Sequence, residues 1–165
     1  MQQVFFFFGE AGAGKSYCAK RFAERHKLPF IEGDDFIPGP SIDERVKKFQ
    51  ILKPAEIQNF IHNILLPQVM SHTSLEGTDI VVSQAMYRNV DRIKFADAIQ
   101  EHTAYTVRWF LIKTPLLQHI KQILSRRYGL RWFAFWLLNK PFFQKPVHHH
   151  ITVLNTKTAT NLLNK

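Results

Sequence analysis

Apolar residues along this chain follow two alternating spacings. Unbroken runs of strand length, such as Val4 to Phe8 ahead of Gly9, suit strands buried on both faces of a parallel sheet. Comparable short runs follow at Phe30-Ile31-Glu32, Asp79 to Ser83, Tyr105 to Ile112 and Ile151 to Leu154. Between them, apolar residues recur at helical spacing. The pattern predicts a helix over Lys15 to Arg25 with Cys18, Ala19, Phe22 and Ala23 on one side, and a longer one over Pro54 to Met70 carrying Ile57, Phe60, Ile61, Ile64 and Leu65. A third is predicted over Asn89 to Gln100 with Val90, Ile93 and Ala96 inward. A fourth carries Leu116, Leu117, Ile120, Ile123 and Leu124, is capped by Thr114 with Pro115 at its first position, and ends at Arg126-Arg127. The stretch from Gly33 to Ser41, rich in glycine and proline, reads as loop. A short helix is expected near the C-terminus. Strands alternating with helices imply an α/β architecture of three layers, a parallel sheet of about five strands with helices on both faces.

Composition narrows the class. Apolar residues make up 45% of the chain and charged ones 21%, which suits a folded globule and not a disordered chain. The single cysteine, Cys18, excludes a scaffold held by internal disulfides and reads as a small buried apolar group. The longest strictly apolar run, Trp132 to Leu138, is too short to span a bilayer. The start, Met1 to Phe8, lacks the basic region of a signal peptide, so the cytoplasm is the expected compartment. No repeat or low-complexity linker divides the sequence, and residues 1–165 read as one domain. Lys and Arg number 22 against 13 Asp and Glu, a formal charge of +9. Basic surfaces attract phosphate polymers, yet these residues are dispersed, with a modest concentration between Lys121 and Lys145. A nucleotide site also needs local positive charge, so nucleic acid is not the expected partner.

The strongest chemical signal is Gly9-Glu10-Ala11-Gly12-Ala13-Gly14-Lys15-Ser16, which fits the phosphate-loop pattern G-x-x-x-x-G-K-[ST] between a strand and a helix. Small residues let the backbone curl until successive N–H groups point at phosphate oxygens, and the following helix adds its positive end. Contacts to ATP are expected from Gly9, Ala11, Gly12, Ala13, Gly14, Lys15, Ser16 and Tyr17, with Lys15 on the β- and γ-phosphates and the Ser16 hydroxyl on Mg²⁺. The sheet's carboxyl edge should also carry an acid. Asp79 stands at the wrong end of its strand, and the exit Val82-Ser83-Gln84 has none. The acids are Glu32-Gly33-Asp34-Asp35, ending the second strand. Glu32 would hold Mg²⁺ through water, and Asp34 would take a proton from an acceptor hydroxyl.

This order of motifs resembles the small-molecule kinases of the gluconate kinase and shikimate kinase group, the gluconate kinase branch being nearer. The resemblance runs from about Val4 to Lys113 and weakens beyond. A G-D-x-x-H-P-like motif is matched by Gly33-Asp34-Asp35-Phe36-Ile37-Pro38, with Ile37 in place of the histidine. An N-I-x-x-M-like segment is Ser41-Ile42-Asp43-Glu44-Arg45, and an S-A-L-like one lies in Ser83-Gln84-Ala85-Met86-Tyr87-Arg88. The family's D-D-R-like stretch reads Ala55-Glu56-Ile57. The resemblance implies transfer of the ATP γ-phosphoryl group to a hydroxyl of a small metabolite, such as a sugar acid like gluconate. It makes Lys15, Asp34 and Arg127 the catalytic set, with Arg127 also on the nucleotide. Asp34, Arg45, Arg88 and Arg131 become acceptor contacts.

The stretch that should form a lid, about 126–146, is unusually aromatic, running Arg126-Arg127-Tyr128-Gly129-Leu130-Arg131, then Trp132 to Leu138, then Pro141-Phe142-Phe143. Residues 132–143 read as an apolar acceptor pocket, a homodimer contact, a membrane-surface patch or ordinary core. His148-His149-His150 precedes a strand, where only alternate residues share a face, so it is not read as a metal centre. Two other functions stand beside the kinase: a nucleotide-binding module with a degenerate acceptor site and a partner- or membrane-contacting lid, and an RNA-modifying kinase.

Overall fold

The computed structural model describes residues 2–147 and 151–155, without the side chains of 73–76. The expected C-terminal helix and His148-His149-His150 lie outside the described residues.

Five parallel strands form one sheet: β1 (Gln2–Phe8), β2 (Phe30–Glu32), β3 (Ile80–Ser83), β4 (Tyr105–Lys113) and β5 (Ile151–Asn155), in the spatial order β2-β3-β1-β4-β5. The phenylalanine run explains why β1 is central. Its side chains alternate between faces, so Phe6 and Phe8 join one core with Val4 while Phe5 and Phe7 join another. The first core is covered by α3 (Pro54–Phe60), α4 (Leu66–Glu76) and α5 (Asn89–His102), through Phe60, Leu65, Val69, Phe95 and Ile99. The second is covered by α1 (Lys15–His26) through Cys18, Ala19 and Ala23. Cys18 is buried, and that burial raises its thiol pKa to about 11. The described elements make the α/β three-layer arrangement that the alternation implies. The sheet order reverses at β1, the switch point where open α/β sheets bind ligands beyond their strand ends.

Several local expectations are corrected. The long helix continues to Glu76 and contains a widened π-helical turn at Ile61–Leu65. Pro67 offers no N–H to the helix and its ring crowds the carbonyl one turn back, so the backbone opens there. A helix was not expected in 42–48, yet α2 (Ile42–Lys48) forms behind a capping box in which Ser41 and Glu44 exchange hydrogen bonds. In α5, Val90 and Ile93 face solvent, while Asp91, Arg92, Phe95 and Ile99 are inside. The helix is turned by Arg92, whose guanidinium donates to the carbonyls of Met86 and Gln144 beneath the sheet edge. In α6 (Leu116–Leu124), Leu116, Leu117 and Leu124 are exposed, while His119 and Ile123 are buried. That helix is docked by polar contact. Thr114 does not cap it, because its hydroxyl donates to Ala13 O at 2.8 Å and Pro115 takes the cap position.

α7 (Gly129–Asn139) places Trp132, Phe135 and Trp136 in a third core with Val46 and Ile123, and leaves Leu130, Leu137 and Leu138 exposed. Much of the aromatic segment is therefore internal packing. Among the described residues, no helix is long and apolar enough to cross a membrane.

Candidate functional site

The loop between β1 and α1 is shaped by glycine. Gly12 and Gly14 adopt φ of 80° and 87°, in the left-handed region where a side chain is strained. A Cβ on Gly12 would also lie 2.7 Å from Ile123 Cγ1. Gly14 is the N-cap of α1 and offers no side chain to the first turn, which also contains no acid. The amides of Lys15, Ser16 and Tyr17 therefore have no intrahelical acceptor and are available to an anion. Neighbouring segments hold the loop from outside. The ring of His119 meets Ala11 O at 2.8 Å, Thr114 fixes Ala13 O, and the Ala11 amide donates to the Tyr87 hydroxyl at 3.1 Å.

A cavity of about 440 Å³ opens over this loop. Its walls include Gly12, Gly14, Lys15, Ser16, Tyr17 and Asp34, joined by Arg45, Gln84, Arg88 and Arg126. Lys15 is 8% exposed, and its ammonium donates to Glu10 O at 3.2 Å. Burial lowers its pKa, opposed by Asp34, Glu32 and Glu10, while Arg126 pushes the same way as burial. Burial likewise raises the pKa of Asp34, with Lys15 opposing and Asp35 adding to the rise. Glu32 is pushed up chiefly by burial, against a hydrogen bond from Ser16. A cation and two carboxylates are thus held together with their pKa values shifted by burial, a pattern that concentrates at functional sites.

Mg²⁺ fits the donors present. Ser16 is exposed, Ser83 Oγ lies 3.4 Å from Ser16 Oγ, and Glu32 Oε1 is buried without a hydrogen-bond partner among the described residues. Among the described residues no three His, Cys, Asp or Glu side chains cluster. The ion would therefore be shared between Ser16, a water-bridged Glu32 and nucleotide phosphates, as hard six-coordinate cations prefer.

The remaining predicted residues divide. Arg45 is buried at the cavity wall, with Nε on Pro40 O at 3.1 Å and Nη2 on Pro38 O at 2.8 Å. Arg88 also lines the cavity but forms a two-point pair with Asp91, both contacts 2.7 Å. Arg127 stacks on Tyr128 and is not part of the wall, and Arg131 instead donates to Lys47 O at 2.6 Å, tying α7 to α2. Asp79 accepts from the Gln3 amide at the opposite edge of the sheet. Sequence reasoning missed Arg126, whose guanidinium sits 4.5 Å over the Trp132 ring beside the cavity. It also missed Gln84, 5% exposed, with Oε1 buried and unpartnered among the described residues. A further missed contact pins the aromatic segment. Trp136 Nε1 donates to Glu10 Oε2 at 2.6 Å, clamping α7 onto the loop.

No protein-family model and no curated protein matches the chain. Solved structures do. A sugar kinase from Janibacter sp. HTCC2649 superposes with a TM-score of 0.73 at 16% identity, over 99% of this chain and 91% of that one. A gluconokinase from Sinorhizobium meliloti 1021 gives 0.69 at 15% identity, over 99% and 87%. An APS kinase of Mycobacterium tuberculosis, solved with AMPPNP and APS, gives 0.65 at 14% identity, over 99% and 95%. At these identities the likeness is one of fold. The chain has the fold of the small-molecule P-loop kinases, as the order of its motifs implied.

Proposed function

We propose that the chain is an ATP-dependent kinase that transfers the γ-phosphoryl group to a hydroxyl of a small anionic metabolite. The observation that carries this reading is the convergence of Lys15, Ser16 and Asp34 on one cavity at the carboxyl edge of the sheet. The loop amides and Lys15 would hold the terminal phosphates, and Arg126, which lines the cavity where Arg127 does not, would neutralise charge on the transferred group. Mg²⁺ on Ser16 and Glu32 would supply charge neutralisation. Asp34 would take the proton from the acceptor hydroxyl as its oxygen bonds to the γ-phosphorus and the bond to the bridging β–γ oxygen breaks, releasing ADP. Arg45, with no ion-pair partner among the described residues, would hold the acceptor's negative charge.

Coupled detection of ADP across a panel of hydroxylated acids tests the reading. Acceptor-stimulated ADP release that disappears in Asp34→Asn supports it. Tight ATP binding with no stimulation by any acceptor would favour a nucleotide-binding module instead.

A further inference from the structure

Resting on that reading, we propose that the acceptor has an apolar body bearing one reacting hydroxyl and one anionic group, and is not a polyhydroxylated sugar acid. The cavity beyond Asp34 is walled by Ile37, Ile42, Ile51, Ile57, Phe60 and Phe142. These come from the loop after β2, from α2, from the segment before α3, from α3 itself and from the end of the lid. Away from the phosphate loop, apolar residues outnumber polar ones in the wall, whose other polar members include Lys53, Tyr87 and Asn139. Ile37 stands in the motif where the resembling kinases carry a histidine, and Ile57 stands in the stretch where they carry acids and an arginine.

Polar capacity decides the question. Each hydroxyl of a polyol taken out of water needs a partner, or its desolvation opposes binding. Here several of the donors in the wall are already committed. Nε and Nη2 of Arg45 serve two proline carbonyls, and those of Arg88 serve Asp91. What remains is a short set: Asp34, the unpartnered Gln84 Oε1, and the charges of Arg45 and Lys53, since Asn139 Nδ2 donates to Phe135 O and Arg126 stacks on Trp132. That set suffices for one hydroxyl, which donates to Asp34 or Gln84, and one carboxylate or phosphate near Arg45. It leaves the rest of the ligand against isoleucine and phenylalanine, where a sugar chain would bury hydroxyls without partners and a ring or branched chain would gain from leaving water.

The test uses the full chain saturated with Mg·AMPPNP, with binding read by calorimetry and transfer read separately as ADP release from ATP. The probes are 4-(hydroxymethyl)benzoate, the neutral 4-methylbenzyl alcohol, and gluconate. The expected result is that 4-(hydroxymethyl)benzoate binds at least about tenfold more tightly than either other probe. Ile57→Asn and Arg45→Gln should each weaken that binding about tenfold while AMPPNP affinity is unchanged, which separates the acceptor pocket from a general loss of folding. Gluconate binding as tightly as the aromatic acid, or no detectable binding of the aromatic acid at millimolar concentration, overturns the proposal. The alcohol matching the acid overturns its anionic part. If the acid binds as expected but no acid of the acceptor panel releases ADP, the pocket chemistry stands and the kinase reading fails. Failure of AMPPNP itself to bind strikes the kinase reading alone.

Discussion

The two walls of the cavity are built by opposite means. The wall proposed to hold the nucleotide, from Gly9 to Tyr17, is a contiguous stretch whose amides would do much of the binding, and its geometry follows from glycines at fixed spacing and from a helix start. The wall proposed for the acceptor is assembled from at least five separated segments, and its character lies in their side chains. The first has little latitude, since a single Cβ at Gly12 would collide with Ile123. The second can change its ligand by exchanging one side chain without disturbing the sheet.

The largest expected effect lies on the first wall. Lys15→Ala should lower kcat by about 10³-fold or more, with circular dichroism unchanged. Asp34→Asn, at the seam between the walls, should lower kcat by about 10²- to 10⁴-fold. It should also raise Tm at neutral pH by a few degrees. Folding raises the Asp34 pKa, so its ionisation opposes folding, absent well below the ordinary aspartate value and complete once the pH exceeds the raised one. The Tm advantage of Asp34→Asn should therefore shrink as the pH falls through that window. For the same reason the acid limb of kcat/KM in the native enzyme should lie above the ordinary aspartate range.

A smaller effect is expected at the clamp between the walls. Trp136→Phe deletes the donor to Glu10 and should destabilise the protein by about 2 kcal/mol, read by urea unfolding, while raising KM for ATP more than it lowers kcat. The smallest effects sharpen the comparison at the lid. Arg126→Gln should reduce kcat by about tenfold and Arg127→Gln by about twofold or less, because only Arg126 reaches the cavity. Equal effects of the two would mean that the lid closes in another arrangement.

The nucleotide wall was legible in the sequence because glycine, lysine and serine at set intervals admit few other readings. Asp34 was legible for the same reason, standing beside Gly33 at a strand end. Gly33 itself is confined, since a Cβ there would approach Gln84 and Ser83 O at 3.0 Å. The choice between Arg126 and Arg127 was not legible, because neighbouring residues at a helix end point in different directions and only the docking of α6 decides between them. That docking was hidden too. His119 interrupts an apolar stripe, and its partner is the carbonyl of Ala11, which no hydrophobic pattern reports. In α5 the buried Arg92 replaced the expected Val90 and Ile93 face, since long side chains with several donors can seal a core edge as well as fill it. α2, by contrast, is legible in the capping-box spacing of Ser41 and Glu44. Ile42 stands in a motif-like segment and Phe142 in the aromatic stretch that admits an acceptor-pocket reading, but Ile51 carries no local signal, and the three share a cavity only once the helices are placed.

The central claim is that the amides after Gly9 and the ammonium of Lys15 cradle a nucleotide triphosphate. Calorimetric titration of AMPPNP into the full chain, with and without Mg²⁺ and again in Lys15→Ala, tests it most directly. Saturable one-to-one binding that tightens with Mg²⁺ and is lost in the variant is the predicted result. No heat of binding in the native chain, or affinity untouched by loss of the lysine, would contradict it.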